Sequence, residues 1–337
     1  MNNLKKFYKN KTILVTGGCG SIGSEIVRKL LNFDIKVIRI FDNNESGLFE
    51  IEQETKTNKI RPFVGDVRDK DRLLSAIENV DIVFHAAALK HVPLCEYNPF
   101  EAVKTNILGT KNVINASLQE EIEKLVFIST DKAVNPTNVM GASKLLAEKI
   151  TISANNLKGL KKTTFCSVRF GNVLNSNGSV LPLFKNQIKN GGPVTVTDPD
   201  MTRFFMKIPK AVELVLKAGF LSKGGEIFVF KMPTIRIGDF AKATIEYYSP
   251  KYGFKPKDIK VKITGKRLGE KMHEELMNDI DAENTYENDE MFITLAPTAK
   301  ITKKGEFTLK VVNNKKQKEF KKTNRTSYSS KDKKPIN

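Results

Sequence analysis

The sequence predicts an α/β protein in which a doubly wound parallel sheet is followed by a smaller C-terminal α/β part. Short apolar runs alternate with amphipathic helical segments over the first half of the chain. These runs are continuously apolar, as in parallel strands that are covered on both faces. A glycine-rich turn separates the first strand from the first helix, and after residue 171 the chain becomes rich in Gly, Asn, Pro and Asp.

Six apolar runs predict the strands of the parallel sheet. They are 12–17, 36–42, 61–66, 81–87, 124–130 and 163–171. Between these runs, apolar residues that recur with a helical period predict helices. The clearest helices are 21–32, 98–121 and 137–157. Beyond residue 171 the pattern predicts helices at 207–221 and 236–248 and short strands at 194–197, 226–230 and 259–265.

The charge of the chain is concentrated at its C-terminal end. The 337 residues are enough to bury a core in two domains or in one large α/β unit. The net charge is +18, and residues 300–337 contribute +10 of it through 13 Lys/Arg against 3 Asp/Glu. This composition predicts a basic, partly disordered tail. We expect no nucleic-acid partner, because no nucleic-acid-binding module is recognisable.

Several features predict a cytoplasmic protein without a bound metal. No uncharged apolar segment reaches the ~18 residues that a membrane span needs, and we find no secretory signal pattern. The three cysteines lie far apart, which argues against a disulfide framework and a cysteine metal site. The three histidines share no metal-ligand spacing.

The turn from Gly17 to Gly23 has the glycine spacing of a dinucleotide-binding loop. Glycines allow a tight turn and a close approach of the backbone to a pyrophosphate, and the following helix N-terminus favours negative charge. Asp42 ends the second strand, where a carboxylate accepts hydrogen bonds from an adenosine ribose and repels a 2′-phosphate. The pattern therefore favours NAD over NADP, with Asp66 near the adenine. The alternative is a structural glycine-rich turn.

Five motifs occur in a fixed order. They are TGGCGSIG, HAAALKHVPLCEYNP, STDKAVNPTNVMGASK, RFGNVLNSNGSVLPLFKNQIKNGGPVTVTDPDMTRFFM and RLGEKMHEELM. Over residues 8–296 they resemble the extended short-chain dehydrogenase/reductase family, and within it the UDP-N-acetylglucosamine 4,6-dehydratases. The resemblance implies a Rossmann-type NAD-binding domain over 1–171, to which some later segments return. It also implies a UDP-sugar-binding part over 172–299, with the basic tail 300–337 outside the resemblance.

The sequence departs from its relatives at one catalytic position. Short-chain dehydrogenases generally carry Tyr-x-x-x-Lys, with both side chains on one helix face. Here Met140 replaces the tyrosine, and Lys144 is retained. Methionine has no titrating proton, so either the chain is inactive or another group handles the proton. A methionine at this position resembles one branch of the dehydratases.

The resemblance implies roles for the segment Thr130-Asp131-Lys132. Lys132 would be the base that removes the C5 proton of the sugar, which requires a lowered amine pKa. Asp131 would be the acid that protonates the departing C6 oxygen, which requires a raised carboxyl pKa. Thr130 would bind the sugar O4, and Lys144 the nicotinamide ribose. The residues alone do not separate acid from base, and the alternative is a polar cap after a strand.

The remaining site residues follow from motif positions. The expected cofactor-binding residues are Gly17, Gly20, Ser21, Ile22, Gly23, Asp42, Asp66, Val67, Ala86 and Lys144. The expected UDP-sugar-binding residues are Lys90, Asn172, Ser179, Val180, Lys185, Thr195, Thr197, Arg203, Arg267 and Glu270. The two arginines are expected at the diphosphate, because guanidinium groups bind phosphate in a bidentate manner.

The sequence supports a UDP-N-acetylglucosamine 4,6-dehydratase that retains the configuration at C5. Three alternatives stay open: a C5-inverting dehydratase, a UDP-sugar 4-epimerase and a non-catalytic NAD-binding scaffold. Met140 favours the scaffold, whereas Asp131-Lys132 favours a dehydratase. We also expect a homodimer or a higher homo-oligomer, with helices 98–121 and 137–157 pairing across a two-fold axis.

Overall fold

The computed structural model describes residues 2–295, 298–301, 307–310 and 320–332. One ten-stranded sheet forms the centre of the described chain, and helices cover both of its faces. The other described strands form four smaller sheets. The predicted α/β fold with a doubly wound parallel sheet is therefore confirmed.

Twelve α-helices occur in the described residues. They are α1 (Asn2–Tyr8), α2 (Ser21–Leu31), α3 (Glu45–Thr55), α4 (Lys70–Ile77), α5 (Val92–Tyr97), α6 (Pro99–Ala102), α7 (Thr110–Gln119), α8 (Val139–Leu157), α9 (Val180–Lys189), α10 (Ile208–Leu221), α11 (Ile237–Tyr248) and α12 (Asp279–Glu283). A π-helical segment, Val103–Gly109, joins α6 to α7. Short 3₁₀ turns occur at Asp131–Ala133, Pro250–Tyr252 and Pro256–Asp258.

Nineteen strands occur in the same residues. They are β1 (Thr12–Thr16), β2 (Val37–Asp42), β3 (Ile60–Val64), β4 (Ile82–His85), β5 (Lys124–Ile128), β6 (Thr164–Arg169), β7 (Asn172–Leu174), β8 (Val194–Val196), β9 (Thr202–Lys207), β10 (Glu226–Phe230), β11 (Thr234–Arg236), β12 (Val261–Ile263), β13 (Glu275–Met277), β14 (Thr285–Glu287), β15 (Met291–Leu295), β16 (Thr298–Ile301), β17 (Phe307–Lys310), β18 (Lys321–Lys322) and β19 (Tyr328–Ser329).

The order of the central sheet is β18-β14-β15-β10-β6-β5-β4-β1-β2-β3. The seven strands from β10 to β3 are parallel to one another, and the pairings of β10 with β15, β15 with β14 and β14 with β18 are antiparallel. The strand order reverses between β1 and β4. In open parallel sheets, ligands bind beyond the carboxyl ends of the strands at such a reversal.

Burial of the central strands explains their uninterrupted apolar sequences. Every residue of β1, β4 and β5 is buried, because helices pack on both faces of the sheet. One face packs against α2 and α10, and the other face packs against α4 and α7. The core therefore holds the carboxyl ends of these strands in fixed positions.

The C-terminal segments contribute to two places in the fold. Strands β10, β14 and β15 join the central sheet. Strands β7, β9 and β11 form a separate three-stranded sheet, and β8 pairs with β12. A second apolar core lies beneath these smaller sheets, with Phe184, Phe205 and Ile237 among its buried members. Strand β9 was not expected from the sequence, although it carries Arg203.

Residues 320–332 are folded onto the rest of the chain. Strand β18 pairs with β14, and β19 pairs with β13. The ring of Tyr328 is buried, and its centroid lies 5.0 Å from those of both Phe204 and Phe292. The expectation of a partly disordered tail over 300–337 is therefore wrong for residues 320–332, and β16 and β17, which pair with each other, also depart from it. The other residues of this range lie outside the described residues. A few apolar and hydroxyl groups anchor this part, while Lys321 and Lys322 stay exposed.

Candidate active site

The glycine-rich loop fits closely between β1, β4 and α2. Gly17 has φ +66°, a left-handed conformation that favours glycine, and a Cβ there would lie 2.5 Å from Ala87 N. A Cβ on Gly23 would lie 2.2 Å from Gly17 O. Gly20 immediately precedes α2 in an extended conformation. The loop thus presents backbone at the N-terminus of a helix, which suits a pyrophosphate.

Asp42 lies beside this loop at the end of β2. Its Oδ2 accepts a hydrogen bond from Cys19 N at 2.9 Å, and its Oδ1 accepts one from Asn44 N at 3.0 Å. Arg39 is directed elsewhere and donates to the Ala76 and Glu78 carbonyls. The Asp42 carboxylate is therefore not paired with Arg39. A carboxylate at this position fits an adenosine ribose that carries no 2′-phosphate.

The other expected cofactor residues line the same end of the sheet. Asp66 follows β3 and pairs with Arg68 at 2.6 Å, and this hydrogen bond lowers the pKa of Asp66. Val67 is buried below it. Ala86 follows β4 and donates from its N to Thr16 O at 3.0 Å. Ser21 and Ile22 begin α2, where both are half-buried.

Thr130, Asp131 and Lys132 form a hydrogen-bonded group just beyond β5. Thr130 Oγ1 donates to Asp131 Oδ1 at 2.8 Å, and Lys132 Nζ donates to the same oxygen at 3.0 Å. The Asp131 side chain is fully buried. Its Oδ2 has no hydrogen-bond partner among the residues that the structure describes. A buried carboxylate oxygen of this kind suits a proton or a bound hydroxyl group.

The expected lowering of the Lys132 pKa is wrong for this structure. Burial disfavours the ammonium form, but the carboxylates of Asp131 and Glu274 outweigh burial and the repulsion from Arg203, so the pKa of Lys132 is raised. Glu274 Oε1 lies 3.8 Å from Lys132 Nζ. Sequence reasoning did not assign Glu274 a role, although it belongs to the quoted RLGEKMHEELM motif.

Helix α8 is fixed against this group at its first turn. Asn138 Oδ1 accepts from Gly141 N at 2.8 Å, and Glu96 Oε1 accepts from Val139 N at 2.6 Å. A Cβ on Gly141 would lie only 2.3 Å from Lys132 O. Glycine in the MGASK motif therefore allows α8 to contact the backbone of the Thr130–Lys132 group.

Met140 and Lys144 lie on the same helix in different environments. Met140 is 3% exposed and packs with Cys95 and Ala102. Lys144 Nζ donates to Ile128 O at 2.6 Å, two residues before Thr130. Burial lowers the pKa of Lys144 to about 7, and the nearby Glu148 offsets this effect only in part.

Arg203 is buried on β9 and already has acceptors within the protein. Its guanidinium group donates to the backbone carbonyls of Thr202, Lys271 and Met272. It also lies 3.6 Å from Glu270 and 3.8 Å from Glu274. The predicted contact of Arg203 with a diphosphate would require an exchange of these partners. In this structure the guanidinium group joins β9 to the segment 270–274.

The other expected substrate residues divide into three groups by their contacts. Near the glycine-rich loop, Lys90 Nζ donates to Asn177 O at 2.6 Å, and Asn177 N donates to Ser21 Oγ at 2.9 Å. Ser179 is the N-cap residue of α9, Val180 begins that helix, and Asn172 begins β7.

The second group, Thr195 and Lys185, lies around β8. The third group, Thr197, Glu270 and Arg267, lies at the end of β8 and in the loop that follows β12. Thr195 Oγ1 accepts from Gln187 Nε2 at 2.7 Å, and Lys185 Nζ lies 5.1 Å from the Tyr248 ring centroid. These two side chains therefore contact protein groups. Thr197 Oγ1 lies 3.5 Å from Glu270 Oε1, while Arg267 is exposed.

The described residues contain no group of three or more His, Cys, Asp and Glu side chains that could hold a metal ion. His85 is buried with Nδ1 2.7 Å from Thr16 Oγ1 and Nε2 3.0 Å from Thr110 Oγ1. Burial lowers the pKa of His85 to about 3, so the ring is neutral. Within the part of the chain that is described, no helix is long and apolar enough to cross a membrane.

Comparisons with curated proteins give several relatives that cover most of the chain. An uncharacterized membrane protein of Methanocaldococcus jannaschii is 65% identical, over 86% of this chain and 87% of the relative. A UDP-N-acetylglucosamine 4,6-dehydratase (inverting) of Campylobacter jejuni is 41% identical, over 92% and 90%. A UDP-glucose 4-epimerase of Rickettsia canadensis is 42% identical, over 81% and 80%.

The fold and the family agree with these sequence matches. The X-ray structure of Pen from Bacillus thuringiensis has 43% identity and a TM-score of 0.87, covering 98% of this chain and 95% of that one. A family model described as polysaccharide biosynthesis protein matches residues 13–296. This match includes the glycine-rich loop, the Thr130–Lys132 group and the segment around Glu274. The chain therefore belongs to the polysaccharide biosynthesis protein family.

Proposed function

We propose that this protein is a UDP-N-acetylglucosamine 4,6-dehydratase that binds NAD tightly and regenerates it in each cycle. The observation that carries the proposal is the Thr130–Asp131–Lys132 group, with Asp131 Oδ1 hydrogen-bonded to both neighbouring side chains. This group adjoins α8, on which methionine replaces the tyrosine of ordinary dehydrogenases. The Campylobacter relative, at 41% identity, supports the same activity.

The cofactor site is assigned from the fit of the surrounding residues. The glycine-rich loop and the N-terminus of α2 would hold the pyrophosphate, and Asp42 the adenosine ribose. Lys144 would bind the nicotinamide ribose. Bound NAD would supply the hydride acceptor for C4 of the sugar and the hydride donor for C6.

Proton transfer would use the Asp131–Lys132 pair. Lys132 carries a proton in this environment, because its pKa is raised. When Asp131, 3.0 Å from Lys132 Nζ, accepts the C4 hydroxyl proton, release of the Lys132 proton to solvent would leave a neutral amine beside a carboxylic acid. The Lys132 amine would then take the C5 proton, and Asp131 would protonate the departing C6 oxygen, which leaves as water. After hydride return to C6, Lys132 would give a proton back to C5 and regain one from solvent, so both side chains return to their starting charges.

The C4 hydroxyl proton needs another acceptor, because Met140 cannot titrate. Thr130 Oγ1 is hydrogen-bonded to Asp131 Oδ1 at 2.8 Å. We assign the sugar O4 to Thr130, from which the proton would pass to Asp131. Lys144 would favour loss of the C4 hydride by placing positive charge near the nicotinamide.

The product of the reaction would decide two questions. These are the configuration at C5 and the choice between a dehydratase and a 4-epimerase. The motifs favour retention, whereas the Campylobacter relative is named as inverting. A UDP-sugar 4-epimerase is the second candidate, and the Rickettsia relative at 42% identity favours it. An epimerase has no step for which an acid at C6 and a base at C5 are needed, so the Asp131–Lys132 pair argues for the dehydratase.

The deciding experiment follows the sugar by NMR. Purified protein is incubated with UDP-N-acetylglucosamine in D₂O without added cofactor. We expect a new C6 methyl signal and deuterium at C5, and the ring couplings then give the configuration at C5. Formation of a C4 epimer would establish the second candidate. An unchanged spectrum with bound UDP-N-acetylglucosamine would contradict both and favour the scaffold.

We further propose a cytoplasmic homo-oligomer. Side chains on the helices expected at its interface are exposed, with Phe100 at 78% and Leu157 at 74%. Exposed large apolar groups of this kind are typical of interaction surfaces. Sedimentation velocity measurements would detect the dimer, and a single monomeric species at micromolar concentration would contradict it.

A further inference from the structure

We propose that the C-terminal segment Tyr328–Ser330 is a positioning element of the active site, acting through Glu274 on Lys132 and through Thr202 on Arg203. This segment lies outside residues 13–296, which the family model matches. The proposal rests on the proposed function for its effect on turnover, whereas its effect on Lys132 is independent of any reaction.

The first contact fixes the backbone of Glu274. Ser330 Oγ accepts a hydrogen bond from Glu274 N at 2.9 Å, and Ser330 N donates to Glu274 O at 2.8 Å. Strand β19 also pairs with β13, which begins at the next residue. One C-terminal residue thus satisfies both backbone groups of Glu274, and this restricts where the carboxylate can lie.

The second contact fixes the strand that carries Arg203. Ser330 Oγ lies 2.8 Å from Thr202 Oγ1 and donates to Thr202 O at 3.2 Å. Arg203 follows directly, and its Nε lies 3.8 Å from Glu274 Oε1. The same hydroxyl group therefore links β9 to the acidic residue that faces Lys132.

Tyr328 links the segment, through Met232 and Gly171, to Asp131. Its hydroxyl group accepts from Met232 N at 2.9 Å and donates to Met232 O at 3.0 Å. Met232 Sδ in turn accepts from Gly171 N at 3.1 Å. A Cβ on Gly171 would lie 3.2 Å from Asp131 Oδ2, so this glycine packs against the carboxylate.

The position of Glu274 matters because it is a buried charge close to Lys132. Glu274 is 4% exposed, and its Oε2 has no hydrogen-bond partner in the described part of the chain. Its Oε1, 3.8 Å from Lys132 Nζ, stabilises the ammonium together with Asp131, while Arg203 opposes them. A Lys132 amine that has taken the C5 proton would be stabilised by the same carboxylate. Displacement of Glu274 would therefore weaken Lys132 as a base.

The test compares Ser330→Ala with Lys331→Ala, a matched control at the exposed neighbouring side chain. For Ser330→Ala we expect kcat for UDP-N-acetylglucosamine to fall about tenfold, because a buried amide and a hydroxyl group lose a partner. KM should stay within about twofold. The control should match the wild type. Equal changes in kcat and KM would indicate general loosening and would overturn the proposal.

A second readout needs no turnover. Competitive labelling of lysines with acetic anhydride at several pH values, quantified by mass spectrometry, measures the pKa of Lys132. We expect this pKa to fall in Ser330→Ala and to fall further in Glu274→Gln. Glu274→Gln keeps the shape of the side chain, so it still tests the charge effect if Ser330→Ala folds poorly.

The two readouts separate the two proposals. Unchanged Lys132 labelling in a folded Ser330→Ala variant would overturn the positioning role, whatever the turnover, and if that variant does not fold, unchanged labelling in Glu274→Gln would overturn it. A wild-type protein that forms no dehydration product would overturn the proposed function alone. The labelling shift would still support the positioning role in that case, and its absence would refute it.

Discussion

Met140→Tyr tests whether the methionine is part of a different proton route or is damage to an ordinary dehydrogenase site. The substitution restores the Tyr-x-x-x-Lys pattern with Lys144. In the structure, however, Met140 is 3% exposed and packs against Cys95 and Ala102. Its surroundings are apolar, and the proton-handling groups are the neighbouring Asp131 and Lys132.

The expected magnitude follows from packing. A tyrosine ring is larger and stiffer than methionine, so it must displace part of this cluster. Overpacking of a buried site costs about 1–3 kcal/mol of unfolding free energy. Met140→Leu conserves volume and should cost less than about 1.5 kcal/mol. We therefore expect the tyrosine variant to be less stable than the leucine variant and to show no gain in turnover.

Urea unfolding at pH 7 measures the stability difference, and the NMR assay with UDP-N-acetylglucosamine measures turnover. The leucine variant is the control for loss of the sulfur atom, because it has no hydroxyl group. A large rise in turnover for Met140→Tyr, without loss of stability, would refute the reasoning. It would show that the site is still built for a tyrosine.

Three further predictions concern single side chains. Lys132→Ala should abolish C6 methyl formation and C5 deuterium exchange in the NMR assay, while calorimetry shows nearly unchanged UDP binding. Equal losses of turnover and of UDP binding would argue against the role of Lys132 as base. Asp42→Ala should bind NADP more tightly relative to NAD in titrations of nucleotide-free protein, and an unchanged preference would mean that the ribose contact is misplaced. Lys144 has its pKa lowered from 10.5 to about 7, so wild-type stability should rise with pH through this window. Lys144→Met should therefore have its greatest stability advantage below pH 7, shrinking toward pH 10, and urea unfolding that shows a constant difference would contradict this.

The nucleotide-binding half of the site could be predicted from the sequence because its determinants are local. In the loop from Gly17 to Gly23, other backbone atoms lie so close to Gly17 and Gly23 that a side chain at either position would collide with them. Asp42 follows from its place at the end of a strand. The continuous apolar runs also identify parallel strands, since both faces of the sheet are covered.

The environment of Lys132 could not be predicted in the same way. Its expected low pKa followed only from the role of a base. The raised pKa depends on the carboxylates of Asp131 and of Glu274, and Glu274 lies far along the chain, immediately before β13. Arg203 was expected to face a diphosphate, yet its guanidinium group is held by carbonyls of the segment 271–272.

The C-terminal segment shows why composition misled. Its many lysines predicted solvation, and the charged side chains at 321–322 are indeed exposed. The segment is anchored by a few groups that contact the rest of the chain, above all the ring of Tyr328 and the hydroxyl group of Ser330. An average over a segment does not contain that information.

The sequence by itself determined the parallel α/β fold, the glycine-rich loop and the presence of Thr130, Asp131 and Lys132 without a catalytic tyrosine. These features follow from periodicity, backbone geometry and residue chemistry within short stretches. Only the tertiary structure decided that Glu274 faces Lys132 and that Ser330, 56 positions away in the chain, holds it there. Electrostatic and hydrogen-bond partners are set by distance in space, and distant segments meet only after the core has packed.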